Sequence, residues 1–248
     1  MKNIILYSFV FLFVFSSCKT YYSIDKTNSS FNKIDKKLDD KDSSDIDFII
    51  EPYKAKLSKK MNEVLGYSDG LFKRQPESTL GNWVSDAIAS GAKRISGMNI
   101  DFAIQNYGGI RIRELAKGGI TLGKIYELMP FNNYVVILKA DANTVQQLMD
   151  RMALYGGWPI SSSVRYKIEN DKAVNILIKG RKIDKDKIYT IAMPDYIANG
   201  GDKCTFLKEA KRVDVDQVLI RDVLIDEVKQ TNAKGAHINS KIEGRVTK

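Results

Sequence analysis

Apolar and polar positions change rhythm several times along this chain. Residues 4–15 are almost wholly apolar, whereas residues 19–46 are rich in Lys, Asp, Ser and Asn with few apolar anchors. A stretch of that second kind cannot offset its ordering entropy and reads as a flexible tether. From Phe48 the pattern becomes periodic. Tyr53, Leu57, Met61, Val64 and Leu65 lie near helical spacing, which predicts a helix over Ile49–Leu65 ending at Gly66. Leu80, Val84, Ala87, Ile88 and Ala92 share one face of a second predicted helix, over 80–94. Ile100–Gln105 is a short apolar run before the turn-prone Asn106-Tyr107-Gly108-Gly109, hence strand and then loop. Thr121 is placed to cap a short helix through Leu128, closed by Pro130. Asn133–Lys139 reads as a buried strand and Ala142–Tyr155 as an amphipathic helix.

The C-terminal half alternates. Val164–Glu169, Ala173–Ile178 and Tyr189–Met193 read as strands, with turn signals at Asn170-Asp171 and Lys179-Gly180. Val218–Gln230 reads as a helix and Ser240–Val246 as a final strand. Helices and strands mix without a regular βαβ rhythm. The expectation is an α+β fold: one domain over 47–248, with a mixed β-sheet and flanking helices.

Composition agrees with a globular domain: 248 residues, 44% hydrophobic and 28% charged. The first twenty residues are set apart as a targeting segment, with Lys2 as the positive n-region and residues 4–15 as the apolar core. Phe15-Ser16-Ser17-Cys18 resembles the lipobox of bacterial lipoproteins, which implies a signal peptide over 1–18, lipidation of Cys18 and a cell-envelope location. With Cys18 acylated, Cys204 has no partner and reads as a buried small hydrophobe. The net charge of +9 attracts phosphates, acidic headgroups or nucleic acid. No aromatic-interleaved basic strand or recognition helix accompanies it, so nucleic acid is not an expected partner.

Three segments carry chemistry: Arg74 to Asn82 running into a helix, Asn106-Tyr107-Gly108-Gly109-Ile110-Arg111, and Asp195 through Asn199-Gly200-Gly201-Asp202. Glycine pairs let the backbone approach a ligand closely. Arg111 offers a guanidinium fork matched to phosphate oxygens, and Arg74 stands just ahead of a helix start, where backbone donors favour anions. Asp202 can accept from sugar hydroxyls, and Tyr196 can stack on a base. Taken singly, each has a plain alternative. The Gly-Gly loops serve as ordinary turns, Arg74 pairs with Glu77, Tyr196 is core and Phe131 is packing.

Together the segments resemble the C-terminal, substrate-specificity domain of the 5'-nucleotidase family. The Leu80-Gly81-Asn82 helix start, the Asn106-x-Gly-Gly-Ile-Arg111 loop, Met129-Pro130-Phe131 and Ala198-Asn199-Gly200-Gly201-Asp202 follow the family's order, from about Ile49 to the closing Ile242-Glu243-Gly244-Arg245-Val246. The resemblance implies that Arg74 and Arg111 hold phosphates and that Asn106 contacts the base. Phe131 and Tyr196 would sandwich the base, and Asp202 would bind the ribose, with Gly108, Gly109, Asn199, Gly200 and Gly201 also substrate-binding. Tyr196 stands where the family often has phenylalanine, a change that keeps the stacking role and leaves room for a tighter pocket or an extra hydrogen bond.

Family members hydrolyse phosphate esters with two metal ions held by an N-terminal metallophosphatase domain, a site that needs several His, Asp and Asn ligands. This chain has one histidine, His237, in a polar stretch, and it reads as a surface residue. The expectation is no metal or catalytic residue on this chain. It would supply the nucleotide-binding half of a split hydrolase in nucleotide catabolism, with divalent metals on a separate metallophosphatase chain. The alternatives are a non-catalytic envelope lipoprotein that captures nucleotides or nucleosides, and a degenerate interaction module.

Overall fold

The computed structural model describes residues 26, 27, 29, 30, 44–74 and 77–248. The targeting segment, Cys18 and nearly all of the expected tether lie outside the described residues. The chain divides into Met1–Ile49 and Ile50–Lys248, and the described strands all lie in the second unit.

In chain order, helix α1 (Ser44–Met61) precedes strands β1 (Val64–Ser68) and β2 (Phe72–Lys73). The helix predicted through Leu65 therefore stops four residues earlier. Val64 and Leu65 open a strand instead, in which Leu65 is buried and Val64 exposed, the alternation of a half-covered ribbon. Helix α2 (Thr79–Ser96) starts at Ser78, whose side chain accepts the Gly81 N–H at 2.9 Å, and ends at Gly97 in the left-handed region. Strands β3 (Phe102–Ala103), β4 (Glu114–Leu115) and β5 (Gly118–Thr121) lead to helix α3 (Leu122–Leu128), capped by Thr121 as expected. Then follow β6 (Val135–Ala140), α4 (Ala142–Leu154), β7 (Val164–Glu169), β8 (Lys172–Ile178), β9 (Arg181–Lys182) and β10 (Tyr189–Pro194). The last elements are α5 (Asp195–Ala198), β11 (Lys211–Arg212), α6 (Ile220–Ala233) and β12 (Val246–Thr247). The strand expected over Ser240–Val246 shrinks to β12, because that segment is spent on side-chain ties to α2 rather than on a ladder.

The fold is α+β, with two mixed four-stranded sheets where one was expected. The first has the order β11-β6-β10-β3, with β3 parallel to β10 and the other pairs antiparallel. The second has the order β12-β7-β8-β9, with β12 parallel to β7. Two ribbons, β1-β5 and β2-β4, complete the pairing among the described strands.

Strand alternation divides the core in two. From the first sheet, Ala103, Val135, Ile137 and Ala192 join a cluster with Leu80, Val84 and Ile88 of α2 and Val223 and Leu224 of α6. Their neighbours Phe102, Leu138, Ile191 and Met193 join the other cluster, with Val145, Leu148 and Met149 of α4 and Tyr166 and Ile176 of the second sheet. Both faces of the first sheet are thus covered, which is why all six residues of β10 are buried.

This topology places one end of the first sheet at the surface. β3 and β10 run parallel and finish at that end, while the antiparallel β6 starts there, with Pro194 opposite Val135. The segments after β3, before β6 and after β10 emerge side by side. They carry two of the three chemical segments, Asn106–Arg111 and Asp195–Asp202, together with Phe131; Arg74–Asn82 lies elsewhere in the chain order, between β2 and α2.

Candidate functional site

A cavity of about 270 Å³ opens among these loops, lined by Asn106, Gly108, Gly109, Phe131, Asn133, Tyr196 and Asp202. Six of the seven were expected from sequence, from three separate segments. Phe131 and Tyr196 are 44% and 46% exposed, an unusual state for large aromatic side chains that border an apolar hollow. Their half-exposed faces are what a planar ligand would cover.

A polar network crosses the floor. Asn106 Nδ2 donates to Asp202 Oδ2 at 2.7 Å, and the Tyr196 hydroxyl donates to Asp202 Oδ1 at 3.0 Å. Gln105 Nε2 donates to Asn106 Oδ1 at 3.1 Å, so the buried Gln105 orients the amide above it. The Asp202 N–H pulls the Tyr196 phenol pKa down. The Asp202 carboxylate that accepts its proton, with burial, outweighs this and leaves the pKa above the ordinary value.

Backbone geometry makes that network possible. Gly200 has φ +93° and Asp202 itself sits at φ 48°, so the chain reverses sharply after α5. A Cβ on Gly201 would lie 2.5 Å from the Tyr196 carbonyl oxygen and 2.6 Å from its ring. Only glycine lets the loop fold back onto the tyrosine.

The arginines take different positions from one another. Arg111 is exposed, with its guanidinium 5.4 Å from the Phe131 ring centre and a hydrogen bond to the Gly108 carbonyl. Arg74 is half-buried and donates through Nη1 to the Ile110 carbonyl at 2.5 Å and the Tyr107 carbonyl at 3.4 Å, under the glycine loop. Glu77 turns away from it, accepting from the Glu243 N–H at 2.7 Å and from Asn82 Nδ2. Asn199 faces a neighbouring groove, where its Oδ1 accepts from Arg212. The structure thus gathers Asn106, the two glycines, Phe131, Tyr196 and Asp202 around the cavity, sets Arg111 beside Phe131 and leaves Asn199 on another surface.

Two contributors were missed in the sequence. Asn133 lines the cavity from the segment that enters β6. Arg221 is buried beneath the Phe131 turn, where Nη1 donates to the Met129, Pro130 and Phe131 carbonyls at 3.3, 3.2 and 3.5 Å and Nη2 to Asn132 Oδ1 at 2.9 Å. Its guanidinium also lies 4.3 Å from the Tyr126 ring centre. The available signal was an arginine inside the apolar stripe Ile220, Val223, Leu224 of a helix.

His237 is exposed, as read from sequence, and its Nδ1 lies 2.7 Å from Asp69 Oδ1. Cys204 is buried as a free thiol, and burial pushes its pKa up to about 11. Among the described residues, no three His, Cys, Asp or Glu side chains gather closely enough to hold a metal ion.

Fold and cavity together define an α+β domain with a hollow bordered by two aromatic side chains and a carboxylate at one end of a sheet. The chain belongs to the 5'-nucleotidase C-terminal domain family, whose pattern it matches over residues 63–209. It is 26% identical over 243 residues to the trifunctional nucleotide phosphoesterase protein YfkN of Bacillus subtilis, covering 90% of this chain and 16% of that protein. It is 27% identical over 174 residues to a 5'-nucleotidase of Vibrio parahaemolyticus, covering 65% of this chain and 29% of the relative. Among solved structures, the 5'-nucleotidase precursor of Thermus thermophilus superposes with a TM-score of 0.69 at 25% identity, over 80% of this chain and 42% of that one. The NAD nucleotidase of Haemophilus influenzae shares the fold, with a TM-score of 0.62 at 20% identity over 83% of this chain and 41% of that one. The chain thus spans less than a third of these curated relatives and less than half of these solved structures.

Proposed function

We propose that this domain is the nucleotide-binding, substrate-specificity half of a 5'-nucleotidase-type hydrolase, acting in nucleotide catabolism with a separate metallophosphatase chain. The observation that carries the reading is the cavity itself. Two half-exposed aromatic rings border a hollow whose floor is an oriented amide and carboxylate. A base stacked on Phe131 and Tyr196 gains about 1–3 kcal/mol, the scale of stacking per base in single-strand binders. Asn106 reads the base edge, Asp202 accepts from ribose hydroxyls, and Arg111 offers its guanidinium to the phosphates.

When bound, the metal ions would activate water and stabilise the leaving group, and their ligands belong to the partner. This chain's own residues bind and orient the nucleotide. Anchorage of the chain in the bacterial envelope through a lipid on Cys18 belongs to the same reading. Palmitate labelling that is lost in Cys18→Ala is its test.

The functional test titrates adenosine and AMP into the full chain by calorimetry, with phosphate release followed in manganese buffer before and after a metallophosphatase chain is added. Saturable binding without release, and release on mixing, is the expected result. Binding that no partner converts to turnover would favour a capture lipoprotein. No binding of either ligand would sink both readings.

A further inference from the structure

The Tyr196 hydroxyl does something a phenylalanine ring cannot. It donates to Asp202 Oδ1 at 3.0 Å and accepts from the Asp202 N–H at 3.4 Å, so one hydroxyl clasps both the side chain and the backbone of the same residue. The opposite carboxylate oxygen is held by Asn106 at 2.7 Å. Asp202 sits in the left-handed region between a loop glycine and Lys203, also at positive φ, a conformation with little support of its own. Each carboxylate oxygen offers two lone-pair directions. With one direction on each oxygen taken by Tyr196 and Asn106, the carboxylate is fixed in rotation, and the remaining directions are presented as a pair where Asp202 lines the cavity.

A fixed pair of acceptors matches two donors on adjacent carbons, the vicinal diol of a ribose. A 2'-deoxyribose offers only one of them, and its binding leaves an oriented, partly desolvated acceptor unpaired. We propose that the Tyr196 hydroxyl positions the Asp202 carboxylate and thereby makes the site selective for ribonucleosides over 2'-deoxyribonucleosides. This rests on the nucleotide-binding reading above. Tyr196 is then a positioning residue through its hydroxyl and a contact residue through its ring, and the two roles separate in Tyr196→Phe.

The experiment compares adenosine with 2'-deoxyadenosine by calorimetry on the full-length wild type, Tyr196→Phe and Phe131→Leu. Wild type is expected to prefer adenosine about tenfold, the scale of one well-made hydrogen bond. Tyr196→Phe should hold 2'-deoxyadenosine within about twofold of wild type, since the ring remains, while its preference for adenosine falls to about twofold or less. Phe131→Leu should weaken both ligands by a similar factor and keep the preference. An unchanged preference in Tyr196→Phe would overturn the hydroxyl's role while leaving the nucleotide site standing, and so would a wild type that binds both sugars equally. A wild type that binds neither nucleoside would overturn the functional reading, and this inference with it.

Discussion

Arg245 grips both carboxylate oxygens of Asp86, with Nη2 2.7 Å from Oδ2 and Nη1 3.1 Å from Oδ1. The pair fastens the C-terminal segment to the middle of α2, 159 positions earlier. Arg245 is 2% exposed, donates also to the Asn82 and Ile160 carbonyls, and reaches Glu243 through Nε at 2.9 Å. A fork with this many partners is a structural staple, since Lys cannot satisfy them in one plane. Arg245→Met is expected to cost roughly 2–4 kcal/mol, from lost hydrogen bonds and an unmatched acidic pair. Urea denaturation with unchanged m-value measures it, and a loss below about 1 kcal/mol would contradict the assignment.

Arg221 does for the Phe131 turn what Arg245 does for the terminus. Three successive carbonyls and the Asn132 amide point at one buried guanidinium, so the ring's position depends on a residue that never touches the cavity. Arg221→Met is expected to weaken adenosine binding about five- to tenfold, because the turn gains freedom that binding must remove. Arg221→Lys should not restore it, since a point charge cannot span the same set of acceptors. Equal affinity in Arg221→Met and wild type, with both folded by circular dichroism, would show that the turn holds itself.

The two arginines expected at the phosphates predict different phenotypes. Arg111 is exposed beside Phe131, so Arg111→Ala should lower AMP affinity about tenfold, change adenosine affinity little and flatten the salt dependence of AMP binding. Arg74 props the glycine loop through the Tyr107 and Ile110 carbonyls, so Arg74→Ala should weaken adenosine as well as AMP and lower the melting temperature. Identical ligand profiles for the two variants would refute this division.

These contrasts mark where the sequence is legible and where it stops. Strongly periodic segments such as α2, α4, β7 and β8 are readable because burial on one face imposes the period. Cavity residues are readable because their glycines and turn residues have chemical reasons to be there. Val64–Leu65 misled because Tyr53, Leu57 and Met61 at helical spacing run straight into a strand, and Gly66, which suggested a helix stop, lies at a bulge of the β1-β5 ribbon. Two-residue strands carry no period at all. Asn199 looked like its neighbours Gly200 and Gly201, but one turn of α5 points it at Arg212 instead. Arg221 stayed hidden because its partners are backbone carbonyls, which leave no trace in sequence.

Acid is expected to weaken the fold through two carboxyls, Asp101 and Glu77. Burial alone would raise the pKa of Asp101, but the Lys187 ammonium at 2.9 Å, the Thr190 N–H at 3.0 Å and the Lys179 ammonium at 3.1 Å outweigh it and hold the carboxyl below its ordinary range. Glu77 is likewise depressed, against burial, by backbone N–H groups of the C-terminal segment and by Asn82. A carboxyl whose folded pKa is lowered binds its proton more readily in the unfolded chain. Its stabilisation is therefore complete above the unfolded value, about pH 4, and drains away as pH falls through the folded one. Asp101 joins the start of β3 to β10 and to the loops that flank the second sheet, so its protonation loosens the seam between the two sheets. Asp101→Asn should be less stable than wild type at pH 7 by roughly 1–3 kcal/mol, with a shallower decline below pH 5. Urea midpoints measured from pH 7 to pH 2.5 should converge for the two proteins. Curves that stay parallel through the acid range would show that Asp101 does not contribute to the transition.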